Sequence, residues 1–154
     1  MRAALIASAL LLVSIAGPVS AGDQVPFRGS MSGTATITPL DPPIVAVLLE
    51  TSGTASKLGR FTLEAPHIVN QATRMAVGTY VFTAADGSTL TATLAGTATL
   101  VAPGVLAISE TATITGGTGR FAGATGSFST DRTFFPGTGE THGSFEGWIS
   151  TRGS

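Results

Sequence analysis

The chain has 154 residues, a formal net charge of −1 and no cysteine. That is one domain's length, and it excludes disulfide staples. No run of like charges occurs, so nothing in it attracts nucleic acid or an anionic membrane surface. Charged residues make up only 11%, against about 25% in an average soluble domain. Thr, Ser, Gly and Ala fill the difference. Thr favours strands while Gly and Ser favour turns, so the composition is that of an all-β protein with a neutral, hydroxyl-rich surface.

The first 21 residues read as an export signal. Arg2 supplies the positive start, and Ala3 to Ala16 is apolar except for Ser8 and Ser14. Gly17-Pro18 ends any helix, and Val19-Ser20-Ala21 places small residues where a signal peptidase reads them. The apolar run is shorter than the roughly 20 residues of a membrane span. The expected division is therefore a signal peptide over 1–21 and a barrel domain over 22–154, acting in the periplasm or outside the cell. Cleavage after Ala21 would remove Arg2 and no acidic residue, leaving the mature chain slightly more acidic and free of the membrane.

From Val25 to Thr38 apolar and small residues hold the odd positions and polar ones the even positions from Arg28 onward. This is the period-2 signature of a half-buried strand. Gly29 and Gly33 suggest a bend or bulge within it, and Asp41-Pro42-Pro43 a stiff corner. Ile44 to Glu50 is apolar throughout and its facing is ambiguous. Arg60 to Val69 alternates again, with Phe61, Leu63 and Ala65 on one face. Pro66 should break that strand or mark an edge. Val77–Ala84 and Thr89–Leu100 flank Asp86-Gly87, a hairpin signal. Val105–Thr115, Thr125–Phe135 and Gly143–Thr151 follow. About eight strands predict a small closed antiparallel barrel, with a β-sandwich as the alternative. An outer-membrane barrel fits less well, because aromatic girdles are missing from a chain with 6% aromatic residues.

The most distinctive stretch is Ile114-Thr115-Gly116-Gly117-Thr118-Gly119-Arg120-Phe121-Ala122-Gly123-Ala124-Thr125-Gly126. A phosphate loop would need a following helix, but Ser127-Phe128-Ser129-Thr130 reads as strand. The glycines therefore serve a sharp turn, with Phe121 plugging an apolar position and Arg120 at the rim. The segment resembles the allene oxide cyclase and dirigent β-barrel superfamily, which carries a Gly-Gly-Ser/Thr-Gly-x-Phe turn between two late strands of an eight-stranded barrel. The order from Val77 to Gly126 is similar too: Tyr80 and Phe82, a tight turn at Gly87, two strands, then the motif. The resemblance implies the barrel and an apolar cavity. It does not carry over a chemistry. Val25 to Ile37 lacks the polar constellation of the plant cyclases, and Thr125 stands where dirigent proteins usually have a basic residue.

Glu110 shares the face of Leu106, Ile108, Ala112 and Ile114. A carboxylate in an apolar row must be paired or neutralised. It is expected to point into the barrel, with Arg28, Arg60, Arg120, Arg132 or a hydroxyl as partner. An arginine would make it a structural lock with a lowered pKa. Apolar walls would raise the pKa and suit it to acid–base work. Glu50 is a weaker second carboxylate. His67 and His142, without cysteines or a shared spacing, predict no metal site; one reads as partly packed and one as solvated. No Gly-x-Ser-x-Gly elbow occurs and no cofactor is expected. The candidate ligand-binding residues are Glu110, Tyr80 and Phe82; no catalytic residue is assigned. Two functions follow: binding of a small hydrophobic molecule or a partner without catalysis, which the sequence favours, and an isomerase or cyclase acting on an apolar substrate in the cavity. A homo-oligomer stays open.

Overall fold

The computed structural model describes residues 22–152; the expected signal segment lies outside them. Eight strands run in chain order: β1 (Val25–Pro39), β2 (Ile44–Ala55), β3 (Gly59–Asn70), β4 (Met75–Ala84), β5 (Thr89–Ala102), β6 (Val105–Gly117), β7 (Thr125–Phe135) and β8 (Glu140–Ser150). Each pairs antiparallel with its chain neighbours, and β8 pairs back onto β1, closing the barrel. Closure leaves no free edge and excludes the sandwich.

The alternation read from the sequence sets which side chains point inward. Phe27, Met31 and Ala35 of β1 are buried, as are Val45, Val47 and Leu49 of β2, which resolves the facing of that apolar run and puts Glu50 outside. Interior glycines sit beside large inward side chains. A Cβ at Gly29 would lie 2.7 Å from the Phe145 ring, and one at Gly33 2.7 Å from the Thr51 Cα. The β1 ladders run without a register shift at either glycine. These two residues therefore serve close approach across a narrow barrel, where small residues face large ones, and not a bulge. Pro66 does not end its strand either. β3 passes through it with neighbours on both sides, and only the β3–β4 ladder is interrupted, at Ala65 and Pro66.

One half of the interior is filled. Phe27, Phe61, Tyr80, Phe82, Phe128 and Phe145 form a continuous cluster with ring centroids 5.1–6.2 Å apart, each contact adding to plain burial. The β6–β7 connection closes that end. It contains one turn of 3₁₀ helix (Gly119–Phe121), and Gly119 and Gly123 take φ of 58° and 72°, a region costly to any residue with a Cβ. Phe121 is buried beneath it. Arg120 stays at the rim, where it pairs with Asp86 at 3.0 Å and donates to the carbonyls of Lys57 and Leu58. One side chain thus ties together the β2–β3, β4–β5 and β6–β7 turns.

Candidate functional site

The other half of the barrel, under the β1–β2, β3–β4, β5–β6 and β7–β8 turns, is open. It holds a cavity of about 240 Å³. Its walls are mainly apolar, including Val45, Val47, Val69, Leu106, Ile108 and Phe134, and its polar lining includes His67, Glu110 and Arg132. Ile37, Leu40, Met75, Leu100 and Val101 are exposed around the same end. A wider groove of about 700 Å³ crosses the outer face past Arg28, Ser30, Thr54 and Glu146, but none of its polar lining residues is buried.

Glu110 points into the barrel, as its parity requires, and is 3% exposed. Its carboxylate accepts from Arg132 Nη2 at 2.9 Å, from Arg132 Nε at 3.2 Å and from the Tyr80 hydroxyl. Arg132 is itself buried and gives Nη1 to the Thr141 hydroxyl at 3.3 Å. The side-on, two-bonded geometry is the strong form of an arginine–carboxylate pair. Burial pushes the Glu110 carboxyl up. The Arg132 hydrogen bonds and charge, the Tyr80 hydroxyl and His67 outweigh that and hold it below its ordinary value. Tyr80 is pushed the other way, chiefly by burial and then by the carboxylate it touches, so it remains a hydroxyl donor. Glu110 is therefore the arginine-paired lock among the sequence alternatives, and its charge is committed.

His67, on β3, is the third buried titratable residue of the cavity. Its Nδ1 lies 2.8 Å from the Ala65 carbonyl, a group at the interruption that Pro66 makes in the β3–β4 ladder. Burial holds the imidazole below its ordinary value, with Arg132 adding to this and the Ala65 bond and Glu110 opposing it. The ring is therefore neutral at pH 7.

A shared feature of the backbone makes room for these three side chains. His67 faces Gly78 across the β3–β4 ladder, Glu110 faces Gly96 across β5–β6, and Arg132 faces Gly143 across β7–β8. A Cβ at Gly96 would stand 2.5 Å from Glu110 Cγ, and one at Gly143 2.5 Å from Arg132 Cβ; at Gly78 it would collide with His67 Cβ. Each long polar side chain can thus lean over a neighbour that has none. Thr51, Thr130 and Thr141 complete a buried polar belt between the aromatic plug and the cavity. Thr130 Oγ1, beside Tyr80, is the one fully buried side-chain oxygen or nitrogen without a hydrogen-bond partner among the described residues.

Of the residues singled out from sequence, Glu110 lines the cavity and Tyr80 lies under it, bonded to Glu110. Phe82 is fully buried in the aromatic plug and is not part of the cavity wall. His142 is exposed. His67 as a cavity group was not anticipated, and Arg132 entered only as one of several partners for Glu110. No group of three or more His, Cys, Asp or Glu able to hold a metal occurs among the described residues.

No protein-family model matches the chain and no curated protein matches it by sequence. Its shape is matched. The pterocarpan synthase dirigent protein GePTS1 superposes with a TM-score of 0.60 at 15% identity, covering 96% of this chain and 99% of that one. The pterocarpan synthase dirigent protein PsPTS1 does so with a TM-score of 0.60 at 13% identity, covering 86% and 97%. The barrel expected from the strand count and from the resemblance over Val77 to Gly126 is thus found across nearly the whole chain, which has the dirigent-like eight-stranded barrel fold.

Proposed function

We propose that this protein binds a small, uncharged, mostly apolar molecule in the open half of the barrel. The observation that carries the reading is an apolar chamber of about 240 Å³ over a floor whose charges, Glu110 and Arg132, already neutralise one another. The volume lies between the ~150 Å³ cavity that takes a benzene and the ~300–1,000 Å³ pockets of drug-sized ligands. It suits an occupant of one or two rings. On the floor a ligand carboxylate would meet Glu110 and a ligand ammonium would meet Arg132, so a neutral group is favoured there, while Arg74 lines the cavity as an exposed residue. The structural neighbours named as pterocarpan synthases support a small organic molecule. The inward apolar and outward polar pattern supports a barrel surrounded by water, since membrane barrels reverse it.

The N-terminal pattern supports export, with cleavage after Ala21 and action outside the cytoplasm. Isomerisation by Glu110 is not favoured. Its carboxylate is held ionised by two partners, whereas acid–base work at neutral pH asks for a pKa near 7.

Calorimetric titration with naphthalene-sized neutral probes tests the reading. Saturable binding to one site is expected, weakened at least tenfold (about 1.4 kcal/mol) when Ile108→Trp fills the chamber. No saturable binding, or binding indifferent to Ile108→Trp, would refute it.

A further inference from the structure

If the chamber holds a small neutral molecule, one group on its floor has a capacity that binding leaves unused. A carbonyl oxygen only accepts, so the 2.8 Å contact to Ala65 places the His67 proton on Nδ1. In the neutral ring Nε2 is then a bare lone pair. No side chain among the described residues donates to it, and His67 lines the chamber.

Arg132 lines the same chamber. Its Nε and one N–H of Nη2 go to Glu110, and one N–H of Nη1 goes to Thr141. The second N–H on each of Nη1 and Nη2 has no partner among the described residues. A residue with a bare nitrogen base and a residue with uncommitted N–H donors thus line one apolar space. Moving a proton from carbon takes such a pair: the base receives the proton and the donors hold the negative oxygen that results.

Resting on the binding reading above, we propose that the chamber catalyses proton transfer at the carbon beside the carbonyl of a small neutral ketone, with His67 Nε2 as the base and Arg132 as the oxyanion donor. The C–H bond breaks and its electron pair forms the C=C of an enolate. The carbonyl π pair moves onto oxygen, which accepts from Arg132, and the proton goes to Nε2. The charge of the Glu110 carboxylate favours the imidazolium so formed, and that of the Arg132 guanidinium opposes it. Return of the proton to the same carbon regenerates His67 and the ketone. Return to the far end of a conjugated system moves a double bond. No oxidant, reductant or second substrate is needed. Glu110 is a positioning residue here: together with Tyr80 it fixes the guanidinium and cancels its charge.

The test uses 2-tetralone, a bicyclic ketone with acidic protons beside its carbonyl, in deuterated buffer. Loss of those protons is followed by NMR for the wild type, His67→Gln, Arg132→Met, Ile108→Trp and the surface control His142→Gln. Binding of the same probe is measured by calorimetry, and folding by circular dichroism. Exchange should exceed the buffer rate by roughly 10²-fold or more and persist in His142→Gln. It should fall to the buffer rate in His67→Gln, with tetralone still bound. The wild-type rate should rise with pH through one ionisation below the ordinary histidine value and then level off. Saturable binding with exchange at the buffer rate, or exchange unchanged in His67→Gln, would overturn proton transfer and leave the binding reading intact. Absence of saturable binding by any bicyclic probe would overturn the binding reading itself. Should His67→Gln not fold, Ile108→Trp decides: exchange that survives it undiminished arises outside the chamber and overturns the proposal.

Discussion

Removing one member of the Glu110–Arg132 pair should be among the costliest single changes in the chamber. In Glu110→Gln the Arg132 guanidinium keeps its charge in a side chain only 5% exposed. It loses its charged acceptor and one of the two charge-assisted hydrogen bonds, at 2.9 and 3.2 Å, since Gln keeps only one accepting oxygen, and Tyr80 loses a charged acceptor. Bonds to charged groups contribute about 1.5–3 kcal/mol each, but removing the charge also removes the desolvation cost of the carboxylate. Breaking a buried pair from one side costs about 3–5 kcal/mol, a large fraction of the roughly 5–15 kcal/mol that holds a domain folded. Urea unfolding of Glu110→Gln, Arg132→Met and the double variant would measure it. Each single change should cost about 3–5 kcal/mol, and the double variant clearly less than their sum, since an apolar replacement of both partners can be near neutral. A Glu110→Gln cost below about 0.5 kcal/mol, the size of an ordinary surface change, would refute the argument and put the carboxylate in contact with water.

Stability should fall with acid in two stages. His67 is held below its ordinary 6.5, chiefly by burial, so its contribution is complete above that value and is lost as pH falls through the folded one. Glu110, below its ordinary 4.5, adds a second loss further down; chemical denaturation from pH 8 to 3 should show both, and His67→Gln should remove the first. Phe121→Ala should cost about 3–5 kcal/mol in the same unfolding assay, because this plug is 1% exposed; a loss well under 1 kcal/mol would place it on the surface. Gly96→Ala should cost about 1–3 kcal/mol by overpacking and weaken probe binding, as its Cβ would stand 2.5 Å from Glu110 Cγ; unchanged stability and affinity would show that Glu110 does not depend on that gap. Exported protein should begin at Gly22 by mass spectrometry, and an intact Met1 would refute cleavage.

The barrel was legible because alternation is local. A period of two fixes which side chains face inward without knowledge of the partner strands, and turn residues such as Asp86-Gly87 mark where strands reverse. The facing of Glu110 followed from the same rule. The rule applies equally to Phe61, Leu63, Ala65 and His67, and to Phe128, Thr130, Arg132 and Phe134. Each is an inward row interrupted by a titratable group, and reading them together would have assembled the floor from three strands. What could not be read was the meeting of β3, β4, β6 and β7 across the barrel axis, which depends on closure and stagger. The division of the interior was hidden for the same reason. Phe82 and Tyr80 are two residues apart on β4, yet one lies wholly in the plug while the other reaches the charged floor. The glycines opposite His67, Glu110 and Arg132 became meaningful only with the register.

The central claim is that a small neutral molecule occupies the open half of the barrel, and methyl-resolved NMR tests it most directly. With the methyl groups of Val45, Val47, Val69, Leu106 and Ile108 labelled, a neutral bicyclic probe should shift these signals along one saturable curve. The buried methyls of Leu63 and Leu90, in the filled half, should stay where they are. Shifts confined to the exposed Leu48, Ile68 and Val77, or no saturable shift at the chamber walls, would contradict it.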